Sequence, residues 1–259
     1  MTDDIQRKLQ IGSTSSQNFA VWQEILGEFD EVVGSSRKGA SLVALERWWL
    51  SVATPRDTFG RDELIQLIKW KGQRGKFRPA LVRYAADMED EALRNAVQMA
   101  LSHVRQDTSK YIDIDTVEQA LEPLLKLRGV GPATASAILA AFDDRIPFMA
   151  DSLLEALHDG VRKYTKTAYL DMFRQLQEIQ RSVATSSDGT WCSLRDMERV
   201  VFVDSLRRQN NAEREEGEKG EKMEKGEKGE KGEKMEKMEK MEGKPAKRRR
   251  KIQIREPRT

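Results

Sequence analysis

Two glycines flank a single apolar residue at Gly129-Val130-Gly131, and a proline follows at Pro132. With helical spacing on both sides, this pattern suits a tight turn that a β-carbon would obstruct, Val130 plugging into the core and Pro132 opening the next helix. Such a turn directs backbone amides outward at a helix N-terminus, where they can hold a phosphate without any basic side chain. The alternative is an ordinary αα-hairpin with a glycine cap and a proline start. A second stretch, Lys69-Trp70-Lys71-Gly72-Gln73-Arg74-Gly75-Lys76-Phe77-Arg78-Pro79, sets five basic residues around two aromatics and two glycines. Read as a basic loop from Lys71 to Arg78, it either lies along a phosphate backbone through Arg74, Lys76 and Arg78 or merely joins two helices at the surface.

From Leu127 to Ala141, leucine, Gly-Val-Gly, Thr134-Ala135 and a small apolar helix follow in order. The run resembles the hairpin of the helix-hairpin-helix DNA glycosylase superfamily, of the endonuclease III and adenine glycosylase type, and the resemblance is specific over about residues 124–158. It implies binding of double-stranded DNA by Gly129, Val130, Gly131, Ala133 and Thr134. It implies no cofactor beyond a monovalent cation held by hairpin carbonyls. It also implies an essential aspartate at the start of the helix after the hairpin, where Asp151 stands, 20 residues beyond Gly131 and after the loop Asp143 to Met149. In that role the carboxylate stabilises positive charge at the deoxyribose C1′ as the base leaves and helps water attack. The alternative is structural, since aspartate is a favoured N-cap and Ser152 with Glu155 fits a capping box.

The chain also departs from that family. Ala133 occupies the position where bifunctional members carry the lysine that attacks the sugar, so the resemblance implies a monofunctional, hydrolytic enzyme without a lyase step. Ser152-Leu153 replaces a Thr-His pair, and the four-cysteine iron-sulfur loop is absent. Two further readings stand beside the enzyme: a non-enzymatic DNA-binding or scaffold protein that keeps the architecture, and a protein-interaction module whose hairpin is purely structural. Trp48, Trp49, Trp70 and Tyr111 are candidates to stack on an extruded base, although such side chains more often fill a core.

Helices must position these residues, and the apolar spacing supplies them. Phe19, Trp22, Ile25, Leu26, Phe29 and Val33 predict a first helix that Gly34 ends. Further helices are predicted over about 38–52, 62–71, 79–87, 90–104, 113–126, 133–142, from 152 to 158, 164–183 and 191–209, with Pro123 expected to kink or break its helix. About ten helices and no strand make an all-α domain over residues 17–211, behind a flexible leader at 1–16.

Charge separates that domain from the C-terminal fifth of the chain. Of 45 basic and 43 acidic residues, 17 and 13 fall in 213–259, which leaves 28 and 30 in the body. A near-neutral body cannot hold DNA by bulk electrostatics and must use a local patch or backbone donors. Residues 212–243 are low in complexity: eight Glu-Lys-x triplets run from Glu218 to Met241, with Gly or Met as x, and read as a disordered charged tail. The basic tail at 244–259 holds Lys247, Arg248, Arg249, Arg250 and Lys251, read as a signal for a nuclear import receptor or a phosphate-binding patch, or else as a solvated end. One cysteine, Cys192, and two histidines, His103 and His158, leave no expected metal site. No run of 18 apolar residues occurs and Met1 to Gln10 does not resemble a signal peptide. The expectation is a soluble monomer in the nucleus with a role in DNA repair.

Overall fold

A computed structural model of the chain describes residues 22–37, 39–52, 59–158, 160–186 and 192–212. The expected leader, the Glu-Lys-x repeat and the block from Lys247 to Lys251 lie outside the described residues. Among those residues there are eleven helices and no strand. They are α1 (22–27), α2 (Phe29–Ser35), α3 (Gly39–Ser51), α4 (Arg61–Arg74), α5 (Pro79–Ala86), α6 (Asp90–Gln106), α7 (Ile114–Leu125), α8 (Pro132–Phe142), α9 (Asp151–Leu157), α10 (Lys166–Ser186) and α11 (194–212). The described residues up to Gln209 form one compact unit.

Helix α8 lies at the centre and packs against α3, α4, α6, α7 and α10. Its residues from Thr134 to Ala141 are all buried, which small side chains permit because they let neighbouring backbones come close. The Trp49 indole donates to the Ala137 carbonyl at 3.1 Å and ties α3 to the middle of α8. Around it the amphipathic helices bury one stripe each. In α6 that stripe is Leu93, Ala96, Val97, Ala100, Leu101 and Val104, and in α7 it is Val117, Ala120, Leu121 and Leu124. Asp113 caps α7 by accepting from the Asp115 amide at 2.8 Å.

Several expectations change. The first helix is two, α1 and α2, with a turn at Glu28. Pro123 does not divide α7: it lies in the last turn of a continuous helix, where its missing N–H removes one bond of the ladder near the end. The basic loop is shorter than the glycines suggest, because α4 continues past Lys71 to Arg74 and only residues 75–78 connect it to α5. Gly72 is helical, and Phe77 folds back upon it so closely that a β-carbon there would stand 2.6 Å from the ring.

The extension carries Arg74 inward, one helical turn beyond Trp70 on the same buried face. Its guanidinium donates to Glu46 at 2.9 Å and to Glu198 of α11, lies 4.0 Å from the centre of the Phe202 ring, and is 1% exposed. Arg74 is therefore not the phosphate contact that its place in a basic run suggests. Trp49 and Trp70 stack at 4.4 Å beside it, and Phe148 tilts onto Trp70 at 5.0 Å. Both tryptophans are core, not base-stacking surface.

Glu198 is fully buried in this cluster, which disfavours its charged form. Burial above all, with Glu46 adding to it and Arg74 opposing it, pushes the Glu198 carboxyl up to about 7 from an ordinary 4.5. Between those values the unfolded chain binds fewer protons than the folded one, so this group makes stability fall as pH rises and level off above about 7. Glu198→Gln should flatten that decline in denaturant unfolding measured from pH 5 to 7.5. Arg74→Ala strands two buried carboxylates and should cost about 3–5 kcal/mol in the same assay at neutral pH, whereas a surface arginine would cost under about 1.

Candidate functional site

Four residues beyond α7 the chain turns at Gly129 and re-enters helix at Pro132. The Leu127 amide donates to Leu124 O and the Val130 amide to Leu127 O, each at 3.1 Å, which winds the turn tightly. Val130 is buried, plugging the turn into the core as its position suggested. Gly129 has φ +85°, and a β-carbon there would meet Tyr84 of α5 at 2.7 Å. Gly131 differs: its φ is −102°, it is exposed, and no atom lies within 4 Å of where its β-carbon would stand. Only the first glycine is required by conformation, while the second keeps the surface open in front of α8.

Gly131 O accepts from the Thr134 and Ala135 amides at 2.9 Å each. Thr134 is buried with its amide committed to Gly131 O, and it borders the pocket in front of the turn. The outward donors of this helix start are the early amides around Gly131 and Ala133, which have no carbonyl of their own helix to bond.

The same helix fixes the segment that follows it. Ser136 Oγ accepts from the Met149 amide at 3.0 Å, and the Tyr169 hydroxyl donates to Pro147 O at 3.1 Å. With Ile146, Phe148, Met149 and Ala150 buried, the backbone is led along α8 and delivers Asp151 as the first residue of α9. Ala150 is the N-cap and makes no side-chain cap, so Asp151 does not serve as one. The capping box is unrealised too: Ser152 lies inside the helix with its buried Oγ unpartnered, and Glu155 pairs with Arg162.

Asp151 Oδ1 accepts from the Tyr164 hydroxyl at 2.7 Å and Oδ2 from Arg162 Nη1 at 3.1 Å. Burial first, and then the bond to Asp151, hold the Tyr164 phenol above its ordinary value. The Arg78 guanidinium lies 5.3 Å over the same ring. Gly75 passes so near that a β-carbon would stand 2.9 Å from Asp151 Oδ2.

Gly131, Ala133, Lys71, Arg78, Asp151 and Tyr164 line one pocket of about 260 Å³, floored by Ile68 and Phe148. Gly129 and Lys76 also border it, and Lys76 and Arg78 are exposed beside Phe77. Three stretches singled out separately in sequence, the glycine turn, the basic run and Asp151, thus meet in one place. Arg74 contributes to the wall from below, with its charge spent on Glu46 and Glu198. Trp48 and Tyr111 are half-buried and line no part of it, Tyr111 lying under the Arg181 guanidinium at 5.2 Å.

Sequence reasoning missed Tyr164, Arg162 and the particular standing of Lys71. The first two lie between α9 and α10, because the helix expected from 164 begins only at Lys166. Lys71 shares a face with Ile68 once α4 is carried to Arg74, and the Trp70–Arg74 spacing was the signal for that. Half-buried in the pocket, the Lys71 ammonium is pushed down from 10.5 to about 8, chiefly by burial and then by Arg78, with Asp151 pulling the other way.

Among the described residues no group of three His, Cys, Asp or Glu is placed to hold a metal ion, and no helix is long and apolar enough to cross a membrane. Compared with protein-family models, with curated proteins and with solved structures, the chain matches none of them.

The two glycines should respond differently to the same substitution. Gly129→Ala forces a positive φ on a residue with a β-carbon and drives it against Tyr84, at an expected cost of about 1–3 kcal/mol. Gly131→Ala, in extended backbone facing open space, should stay within about 1 kcal/mol of the wild type. Thermal unfolding of both variants checks the contrast, and equal losses would contradict this turn geometry.

Proposed function

We propose that the protein binds duplex DNA through the turn at Gly129–Gly131 and acts on it as a monofunctional base-excision glycosylase. The observation that carries this reading is the convergence of three chemically distinct parts on one pocket: outward amides at a helix start, exposed cations at Lys76 and Arg78, and the Asp151 carboxylate. Amides and flanking cations suit a phosphate, which fits a body without net positive charge. The pocket is close to the lower end of small-molecule sites, roughly 300 Å³, and its floor is apolar, so a single extruded base is a fitting occupant. Asp151, held at both oxygens by Tyr164 and Arg162, is oriented to oppose positive charge at the C1′ of that nucleotide.

The helix-hairpin-helix glycosylase architecture, a monovalent cation on the turn's carbonyls and nuclear entry through Lys247, Arg248, Arg249, Arg250 and Lys251 belong to the same proposal. One observation favours the second reading, a non-enzymatic DNA-binding or scaffold protein: Arg162 already pairs with Asp151 and offsets the charge that catalysis would use.

Incubation with duplexes containing uracil, alkylated, oxidised or mismatched bases tests both readings. The enzymatic one expects base release from at least one duplex and a loss of at least a hundredfold in Asp151→Asn, with duplex affinity kept. Retained affinity without release from any of them leaves the binding protein and sinks the enzyme for those substrates. Gly131→Asp, which sets a carboxylate in front of the amides, should weaken duplex binding at least tenfold. Unchanged affinity would remove the turn from the interface.

A further inference from the structure

The charge left uncompensated inside the pocket is positive. Arg74 is spent on Glu46 and Glu198, and the Asp151 carboxylate is engaged by Tyr164 and Arg162. The start of α8 brings no charge to the wall, only Gly131, Pro132, Ala133 and Thr134. Lys71 enters from α4 beside the apolar floor of Ile68 and Phe148, half-buried where Lys76 and Arg78 at the mouth are exposed. Its ammonium group makes no hydrogen bond or ion pair among the described residues, although Arg78 and Asp151 both act on it electrostatically. A lysine that only stabilises a fold at such a depth is expected to be paired with a carboxylate. Left unpaired, this one demands an acceptor from whatever fills the cavity, because an ammonium carries three donors and no acceptor.

We propose that Lys71 selects the base by donating to a carbonyl oxygen on the edge farthest from the sugar, so that the pocket takes deaminated bases, uracil and hypoxanthine, and rejects cytosine and adenine. The inference rests on the reading of the pocket as the site of an extruded base. With the sugar at Asp151 and its phosphates beside the exposed cations, that far edge is the one that reaches inward to Lys71. Deamination replaces an amino donor there by a carbonyl acceptor and leaves the ring almost unchanged in shape. Packing against Ile68 and Phe148 therefore cannot tell product from parent, and a polar group must. Opposite cytosine or adenine the ammonium would face another donor and stay unpaired in a partly dehydrated site. An alkylated purine bearing positive charge would be repelled by Lys71, Lys76 and Arg78, while the one carboxylate near it is already paired. Deamination also leaves its product mispaired, which lowers the cost of extrusion. Titrating near 8, Lys71 carries its proton in about nine-tenths of molecules at pH 7 and so acts as a donor. Nζ forms no covalent bond in this role, and the site stays monofunctional.

The test uses the full chain and duplexes with a single uracil or a single cytosine opposite thymine, so that both targets are mispaired. A fluorine at the 2′ position of the target nucleotide blocks base release and lets affinity be read apart from chemistry. The uracil duplex is expected to bind at least about tenfold tighter than the cytosine duplex. Lys71→Gln, whose amide offers an acceptor as well as donors, should bring the two affinities within about twofold of each other. Lys71→Arg, a donor only, should keep the preference for uracil and guards against a folding defect. Hypoxanthine and adenine, each opposite guanine, should follow the same order. Equal affinities in the wild type would overturn the inference, and so would a preference unchanged in Lys71→Gln. Selective binding without release of uracil from the unfluorinated duplex would uphold the role of Lys71 and remove the enzyme. Binding to none of the duplexes would overturn the DNA-binding reading itself, and this inference with it.

Discussion

Helix α8 is surrounded by α3, α4, α6, α7 and α10, and every residue from Thr134 to Ala141 is buried. A helix so enclosed can carry little but small side chains, and α8 does: alanines alternate with Ile138, Leu139 and Ser136. The same enclosure fixes both of its ends. Its start must break the surface at a turn narrow enough to fit beside α5, which the Gly129 contact with Tyr84 provides. Its end must return along its own flank, which Ser136 secures through the Met149 amide. Turn and carboxylate are therefore positioned by one rigid element, although 20 residues separate Gly131 from Asp151.

Charge is distributed around that element in two ways. The cations that remain outside, Lys76 and Arg78, sit at the mouth of the pocket, while Arg74 is drawn beneath it into a buried cluster with Glu46 and Glu198. The buried cluster joins α3, α4 and α11 under the aromatic layer of Trp49, Trp70, Phe148 and Phe202. Its contribution is fixing how those helices meet, since a buried ion pair repays its desolvation only in part. Lys71 lies between these two environments, too deep for full hydration and without an ion pair among the described residues. That position accounts for its lowered affinity for a proton.

How much of this was legible in the sequence depends on the kind of signal. Periodic apolar stripes placed the helices, because Leu93 to Val104 and Val117 to Leu124 obey helical spacing without interruption. The turn was legible as well, since Gly-Val-Gly-Pro restricts the backbone locally. What misled was composition read without register. Five basic residues around two glycines looked like a loop, but Gly72 is helical under Phe77 and Arg74 points into the core. Ser152 and Glu155 had the spacing of a capping box, yet the helix begins one residue earlier and Arg162 takes the glutamate. Tyr164 and Arg162 could not be found by pattern, because tertiary approach alone brings them to Asp151.

Whether the pocket beside the turn is a face for DNA is decided most directly by amide chemical-shift mapping. The isotopically labelled protein is titrated with a short duplex containing a tetrahydrofuran analogue of an abasic site, and each amide reports its own surroundings. The largest shifts are expected at Gly129, Gly131, Ala133, Gly75 and Lys76, with α6, which lines no part of the pocket, unaffected. Perturbation confined to residues outside 70–165, with the turn amides unmoved, would contradict a DNA face at this pocket.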